Sequence, residues 1–289
     1  MIAANTICVS ISESAIQIAT VDQLNGKYVC NREKLYAINN WASTAGVVKA
    51  WADSIIDFTD GHQSLSSLHI AMPGPFDYTE GISYIKENRH LKSLYGENIK
   101  ILLAAALKLS PNQLMFYNDA VCCLAAEFAN EKIENQTILG LYFDEGFGSA
   151  LLQNGKIEDA ELWNKPFLEG TAEDFFSVKW QRKNYFELTG LNIVHVNEIN
   201  DFSSLTRKEL FKVFIENLAT YIQSLLQEKT IDTIVLGGVI LDSQVKILAP
   251  LKKKLSAFNI DVNLVKSKIG HTGPMIGAGV LRDQTILEI

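Results

Sequence analysis

The chain has 289 residues, of which 47% are hydrophobic and 20% charged, with a formal net charge of −7. That is the balance of a soluble globular protein with room for one large domain or two ordinary ones. The acidic balance and the lack of a dense Lys/Arg stripe argue against a nucleic-acid partner, and no apolar run is long enough to span a bilayer.

The opening MIAANTICVSI lacks a basic leader and a cleavage pattern, so it reads as a first strand and a cytoplasmic location is expected. β-branched residues predict strands over Thr6–Ser12 and Ala15–Val21, and Lys27–Cys30 extends the meander after the hairpin signal Asn25-Gly26. Val47, Val48, Trp51, Ile55 and Ile56 predict a helix over Thr44–Phe58. Ser67–Met72 reads as a buried strand ending in the rigid turn Pro73-Gly74-Pro75. A helix is expected over Asn98–Leu109, stopped by Ser110-Pro111, and then a strand over Gln113–Tyr117 delivers Asn118-Asp119 into a helix over Val121–Glu131.

The second half repeats this grammar. Strands are expected at Thr137–Phe143 and Ala150–Gln153, separated by Asp144-Glu145-Gly146-Phe147-Gly148-Ser149 and followed by the hairpin signal Asn154-Gly155. Thr171–Tyr185 reads as one helix, with Thr171 and Asp174 as a capping pair. A Thr206–Glu209 capping box opens a long helix through Leu226. A strand over Thr233–Leu236 ends in Gly237-Gly238; a helix over Ser243–Leu255, a strand near Val262–Val265 and a terminal helix after Gly273 complete the chain. Lys252-Lys253-Lys254 reads as the solvated face of a helix. The cysteines (Cys8, Cys30 and adjacent Cys122-Cys123) have no C-x-x-C spacing and no His partner, so no zinc site is expected.

The most informative stretch is Phe116-Tyr117-Asn118-Asp119-Ala120, a strand ending at a carboxylate where a helix begins. Open α/β sheets bind small ligands at that rim, where a carboxylate can accept a proton from a substrate hydroxyl. Asp119 can instead merely cap its helix, and the fragment alone favours that reading.

Five segments fall in an order that resembles the ROK sugar-kinase family. They are Ala71-Met72-Pro73-Gly74-Pro75-Phe76-Asp77, Asn118-Asp119-Ala120, Gly146-Phe147-Gly148 with Asn154-Gly155-Lys156, Val235-Leu236-Gly237-Gly238-Val239, and Ile276-Gly277-Ala278. The resemblance implies an α/β fold of two actin-like ATPase (ribonuclease H-like) domains with an interdomain cleft. The expected domains are 1–118 and 119–289, the terminal helix packing back on the first. It implies ATP-dependent, Mg²⁺-assisted phosphorylation of a hexose or N-acetylhexosamine hydroxyl, with Asp119 as the catalytic base. On the sugar side it implies Asn118, Glu161, Asn88, Gly74 and Asn164. On the nucleotide and phosphate side it implies Ser10, Ser12, Ser14, Gly146, Gly148, Gly237 and Gly238. The expected partners are a sugar and a nucleotide, and because family members are often dimers, a homodimer is left open. The family's regulators carry a helix-turn-helix before the first strand; this sequence opens in that strand, so no DNA contact is expected.

The departures gather at the phosphate end. The family's first loop, Asp-x-Gly-Gly-Thr, reads Ser10-Ile11-Ser12-Glu13-Ser14, and its second loop carries Asp144 and Glu145 where the family has Gly and Thr. A carboxylate roughly 5 Å from a phosphate charge repels it by about 3 kcal/mol at an effective dielectric of about 20. An Mg²⁺ recruited by Glu13, Asp144 or Glu145 would reverse that sign, and acids turned to solvent would remove it. The family's zinc ligands are replaced by Asn164 and by Leu168-Glu169-Gly170-Thr171-Ala172-Glu173, so the loop after Glu161 must be held by packing. The alternative to a kinase is therefore a sugar-binding or sensing protein in which catalysis is impaired.

Overall fold

In the computed structural model of the chain, which describes residues 6–12, 14–61, 65–86, 91–129, 136–193, 204–242 and 247–287, contacts divide the molecule into two units. Met1–Lys132 with His271–Ile289 form the first, and Ile133–Gly270 form the second. The expected boundary after residue 118 differs from this division, which keeps the helix that follows Asn118 with the first unit.

The first unit runs β1 (Thr6–Ile11), β2 (Ala15–Leu24), β3 (Lys27–Ala37), α1 (Thr44–Phe58), β4 (Leu68–Met72), the short hairpin β5 (Phe76–Asp77) and β6 (Ile82–Ser83), α2 (Ile99–Leu107), β7 (Leu114–Asn118) and α3 (Asp119–Glu127). Its five-stranded sheet has the order β3-β2-β1-β4-β7, with β1, β2 and β3 antiparallel and β1, β4 and β7 parallel. β4 is buried along its whole length, as a central parallel strand requires. The register sets Met72 beside Asn118, so the Pro73-Gly74-Pro75 turn and the start of α3 leave the sheet side by side.

The second unit contains β8 (Ile138–Phe143), β9 (Phe147–Gln153), β10 (Lys156–Asp159), the hairpin β11 (Pro166–Phe167) and β12 (Gly170–Thr171), α4 (Ala172–Phe176), α5 (Val178–Thr189), α6 (Ser204–Glu228), β13 (Thr233–Gly237), α7 (Val239–Asp242), α8 (Leu248–Ala257) and β14 (Asn263–Lys266). Its sheet, β10-β9-β8-β13-β14, repeats the order and directions of the first. The register places Gly237 opposite Tyr142, at the carboxyl end of β8. An aromatic core of Phe143, Phe147, Phe167, Phe176, Phe214 and Tyr221 fills this unit.

The last helix, α9 (Gly273–Leu287), belongs to the first unit and packs on α3 and β1. Gly277 permits that crossing, because a Cβ there would lie 1.8 Å from the Cys122 carbonyl oxygen. Among the described residues no helix is long and apolar enough to cross a membrane.

Several expected elements differ in extent. β3 continues past Cys30 to Ala37, because as an edge strand it can carry Asn31-Arg32-Glu33-Lys34 exposed. The loop expected over 144–149 gives Phe147, Gly148 and Ser149 to β9. The single helix expected over Thr171–Tyr185 breaks at Ser177, which is extended and caps α5 by accepting from the Trp180 amide at 3.4 Å. The Thr171–Asp174 pair does form, with the Thr171 amide donating to Asp174 at 3.0 Å. Thr206 lies inside α6 and does not begin it. Of the helix expected from Ser243, residues 243–246 lie outside the described residues, and α8 starts at Leu248.

Candidate functional site

Asn118 ends β7 and is the N-cap of α3: its Oδ1 accepts from the Val121 amide at 3.0 Å. The cap is therefore Asn118, and Asp119 stands one position later, half-buried, accepting from the adjacent Ala120 amide at 2.8 Å. A carboxylate in the first helical turn is also favoured by the helix dipole.

With Oδ1 committed to the cap, Nδ2 of Asn118 must face the other way, and it donates to the Tyr78 hydroxyl at 3.1 Å. Tyr78 in turn donates to the Met72 carbonyl at 3.1 Å, tying the end of β4 to the end of β7. Its ring rests on Phe76, which packs on Phe116. Gly74 makes room for this arrangement: a Cβ there would sit 3.2 Å from the Tyr78 oxygen. Asn118, Asp119 and Gly74 are thus gathered at one rim of the first sheet, with Tyr78 as a supporting residue that the sequence reading missed. Asn88 lies outside the described residues.

The first phosphate loop is a β1–β2 turn. Ser10 is half-buried in β1, opposite Gln17 and beside Ala71. The Ser12 amide and hydroxyl both donate to the Ala15 carbonyl, at 3.0 and 3.2 Å, and the Ser12 carbonyl accepts from Asn40 Nδ2 at 2.7 Å. The Ser14 carbonyl accepts from the Ile38 amide at 2.8 Å. Glu13 lies outside the described residues.

The second phosphate loop is more tightly tied. Gly238 has φ of +97°, and a Cβ there would stand 2.5 Å from the backbone of Phe143. Only glycine fits this close approach, so the glycines of the Gly237-Gly238 turn serve chain packing directly. Because Gly238 has no side chain to cap α7, the Val239 amide instead donates to Asp144 Oδ1 at 2.8 Å. Asp144 also donates its amide to the Gly146 carbonyl at 3.0 Å and accepts from the Val178 amide at 2.8 Å. Asp144 is exposed as a residue, while its carboxylate lies against the Val239 amide and the neighbouring loop. Desolvation pushes its pKa up, opposed by the Val239 amide and reinforced by the Asp242 and Glu145 charges.

Glu145 is not directed into solvent as a lone acid. Arg182 on α5 grips both its oxygens, at 3.1 and 3.0 Å. The helix break at Ser177 sets α5 where Arg182 can reach, since Val178, the first residue of α5, is bonded to Asp144. Glu173 Oε2 lies 3.4 Å from the Phe147 amide, and a Cβ on Gly146 would come within 3.0 Å of it. Gly148 lies in β9 opposite Tyr142. The sequence reading missed Arg182 and Glu173; the signal available was two adjacent loop acids without a neighbouring counter-charge.

The amides of this loop are engaged by the chain itself. Of the loop amides, Val239 and Phe147 already face carboxylates, and Asp144 donates within the loop. Among the described residues no group of three or more His, Cys, Asp or Glu side chains is arranged to hold a metal ion.

Glu161 is exposed and adopts a left-handed conformation, φ 50°, with its amide donating to Asp159 at 2.8 Å. A positive φ is uncommon for a residue with a side chain, and such outliers gather at functional sites. Glu161 opens a 3-10 turn, Leu162–Asn164, that leaves Asn164 exposed and Trp163 half-buried. The segment is anchored by the Leu162 amide donating to Ser149 Oγ at 3.0 Å. Phe167 packs 5.2 Å from the rings of both Phe175 and Tyr221. Aromatic packing thus holds this loop.

No protein-family model matches the sequence, and no curated protein matches it. Solved structures do match over nearly the whole chain. A ROK family protein from Streptococcus pneumoniae in complex with sucrose is 15% identical, with a TM-score of 0.78, covering 99% of this chain and 100% of that one. A ROK family glucokinase from Streptomyces griseus in complex with glucose and AMPPNP is 16% identical, with a TM-score of 0.76, covering 97% and 100%. A ROK family transcriptional regulator, a homologue of the E. coli MLC protein, is 15% identical, with a TM-score of 0.73, covering 96% of this chain and 78% of that one. The chain therefore has the fold of the ROK sugar kinases, built from two actin-like α/β units.

Proposed function

We propose that this chain binds a sugar, with Asp119 accepting from a sugar hydroxyl and Asn118 beside it. Glu161 and Asn164 are proposed as further contacts, and Gly74 as the residue that leaves space at the rim. The observation that carries the reading is the gathering of Asn118, Asp119 and Gly74 at one rim of the first sheet, where β4 and β7 end side by side and open α/β sheets bind small ligands. Similar folds hold sucrose and glucose, which supports a carbohydrate as the ligand class. Calorimetric titration of hexoses and N-acetylhexosamines tests it: at least one should bind, and Asp119→Ala should weaken that sugar about tenfold or more, the value of one charged hydrogen bond.

A second reading is ATP-dependent phosphorylation of that sugar, with Asp119 as base. It is supported by the fold shared with a glucokinase holding AMPPNP. Sugar-dependent ADP release from MgATP, abolished in Asp119→Asn, would establish it, and no release above background would leave binding as the function.

A further inference from the structure

We infer that the second phosphate loop is held closed by the chain's own side chains, and that Asp144 and Glu145 make it reject nucleotide polyphosphate. The inference concerns the second unit by itself and rests on the proposed kinase-like function for the loop's role.

Asp144 occupies the place an incoming anion would need. Its carboxylate is seated on the Val239 amide at 2.8 Å, directly after the Gly237-Gly238 turn. Its backbone is engaged in both directions, to Gly146 and from Val178, which fixes the course of the loop, and the carboxylate leaves the turn only by giving up the Val239 amide. The turn beneath has no slack, because Gly238 already lies against the backbone of Phe143.

The neighbouring charges act in the same direction. Glu145 is gripped by Arg182 with both partners only about a third exposed, 35% and 36%, so that guanidinium is already engaged. Glu173 faces the Phe147 amide, and Asp242 lies close enough to raise the pKa of Asp144. Lys266 is turned to Asp242 at 3.7 Å and to the Leu241 carbonyl at 3.0 Å. A polyphosphate would have to displace one carboxylate from its amide while approaching others whose counter-charges are already engaged.

The test is calorimetric titration of MgAMPPNP into the full chain and into three variants, each checked for folding by its thermal melt. Asp144→Asn keeps an oxygen that can accept from Val239 but removes the charge. Asp144→Gly combined with Glu145→Thr removes both charges and frees the amide. Arg182→Ala removes the loop's cation. We expect no saturable binding by the wild type up to millimolar nucleotide, at least tenfold tighter binding in the double variant, a smaller gain in Asp144→Asn, and none in Arg182→Ala. Micromolar binding by the wild type, above all if lost in Arg182→Ala, would overturn the inference by showing that the loop opens and Arg182 turns to phosphate. A folded double variant that binds no better than wild type would overturn it too; if that variant does not fold, Asp144→Asn decides by the same criterion. Sugar titrations alongside separate the two proposals. Sugar binding without any nucleotide gain in the variants defeats the closed loop alone, and a nucleotide gain without sugar binding by the wild type defeats the sugar site alone.

Discussion

The two units share one strand order, yet they spend the carboxylate at a strand's carboxyl end in opposite ways. In the first, β7 delivers Asn118, whose side chain caps α3, and Asp119 stands one position later, accepting from the Ala120 amide at 2.8 Å. In the second, β13 delivers Gly237-Gly238, which cannot cap anything, and the orphan Val239 amide recruits Asp144 from the end of β8. The same backbone geometry thus yields an acid not spent on capping in one unit and an acid locked in place in the other. What decides between them is the residue just before each helix.

The largest test of this comparison removes the glycines that let each unit close. Gly277→Ala should cost about 3 kcal/mol or more, since its Cβ would overlap the Cys122 carbonyl of α3. A denaturant melt should show this loss in the first unit; a neutral result would mean the α3–α9 crossing is not as close as described.

Next in size is a pH effect confined to the first unit. His69 is buried, its Nδ1 3.1 Å from the Tyr117 hydroxyl and its Nε2 3.0 Å from Ser67 Oγ. Burial, and secondarily the Arg282 charge, push its pKa down to about 4. The unfolded chain binds a proton near pH 6.5 and the folded one only near pH 4, so stability falls as pH drops through that window. The full loss is about 3 kcal/mol by the unit conversion, and it should shrink markedly in His69→Gln.

The caps themselves should be the next most costly. Asn118→Ala and Asp144→Ala each remove one helix-capping acceptor, worth about 1 kcal/mol. If the two units differ as argued, only Asn118→Ala should also weaken sugar binding, because it releases Tyr78 as well as the cap. Equal sugar loss in both variants would erase the distinction. The smallest effect expected is from Arg182→Ala, below about 1 kcal/mol in stability because the pair is about a third exposed.

Much of the fold could be read from residue order. β4, β8 and β13 are buried along their whole length and apolar apart from His69 and Thr233, and each was legible as a strand. The far half of β3 was not, because an edge strand can be polar on every residue. Nor was the break at Ser177: apolar residues continue across it, and what opens the helix is the bond from Val178 to Asp144, which is far away in sequence. At the site, Asn118 and Asp119 stood out, but which of them caps α3 depends on φ and ψ. Arg182 carried no local signal, since its partner lies 37 residues away.

The central claim is that Asp119 is kept for a sugar while the phosphate loop keeps its acids for itself. Its most direct test is the calorimetric titration of the sugar panel into the wild-type chain and Asp119→Ala. The account predicts saturable binding of at least one sugar by the wild type, weakened about tenfold or more in the variant. Binding that Asp119→Ala leaves unchanged, or no binding of any sugar, would contradict it.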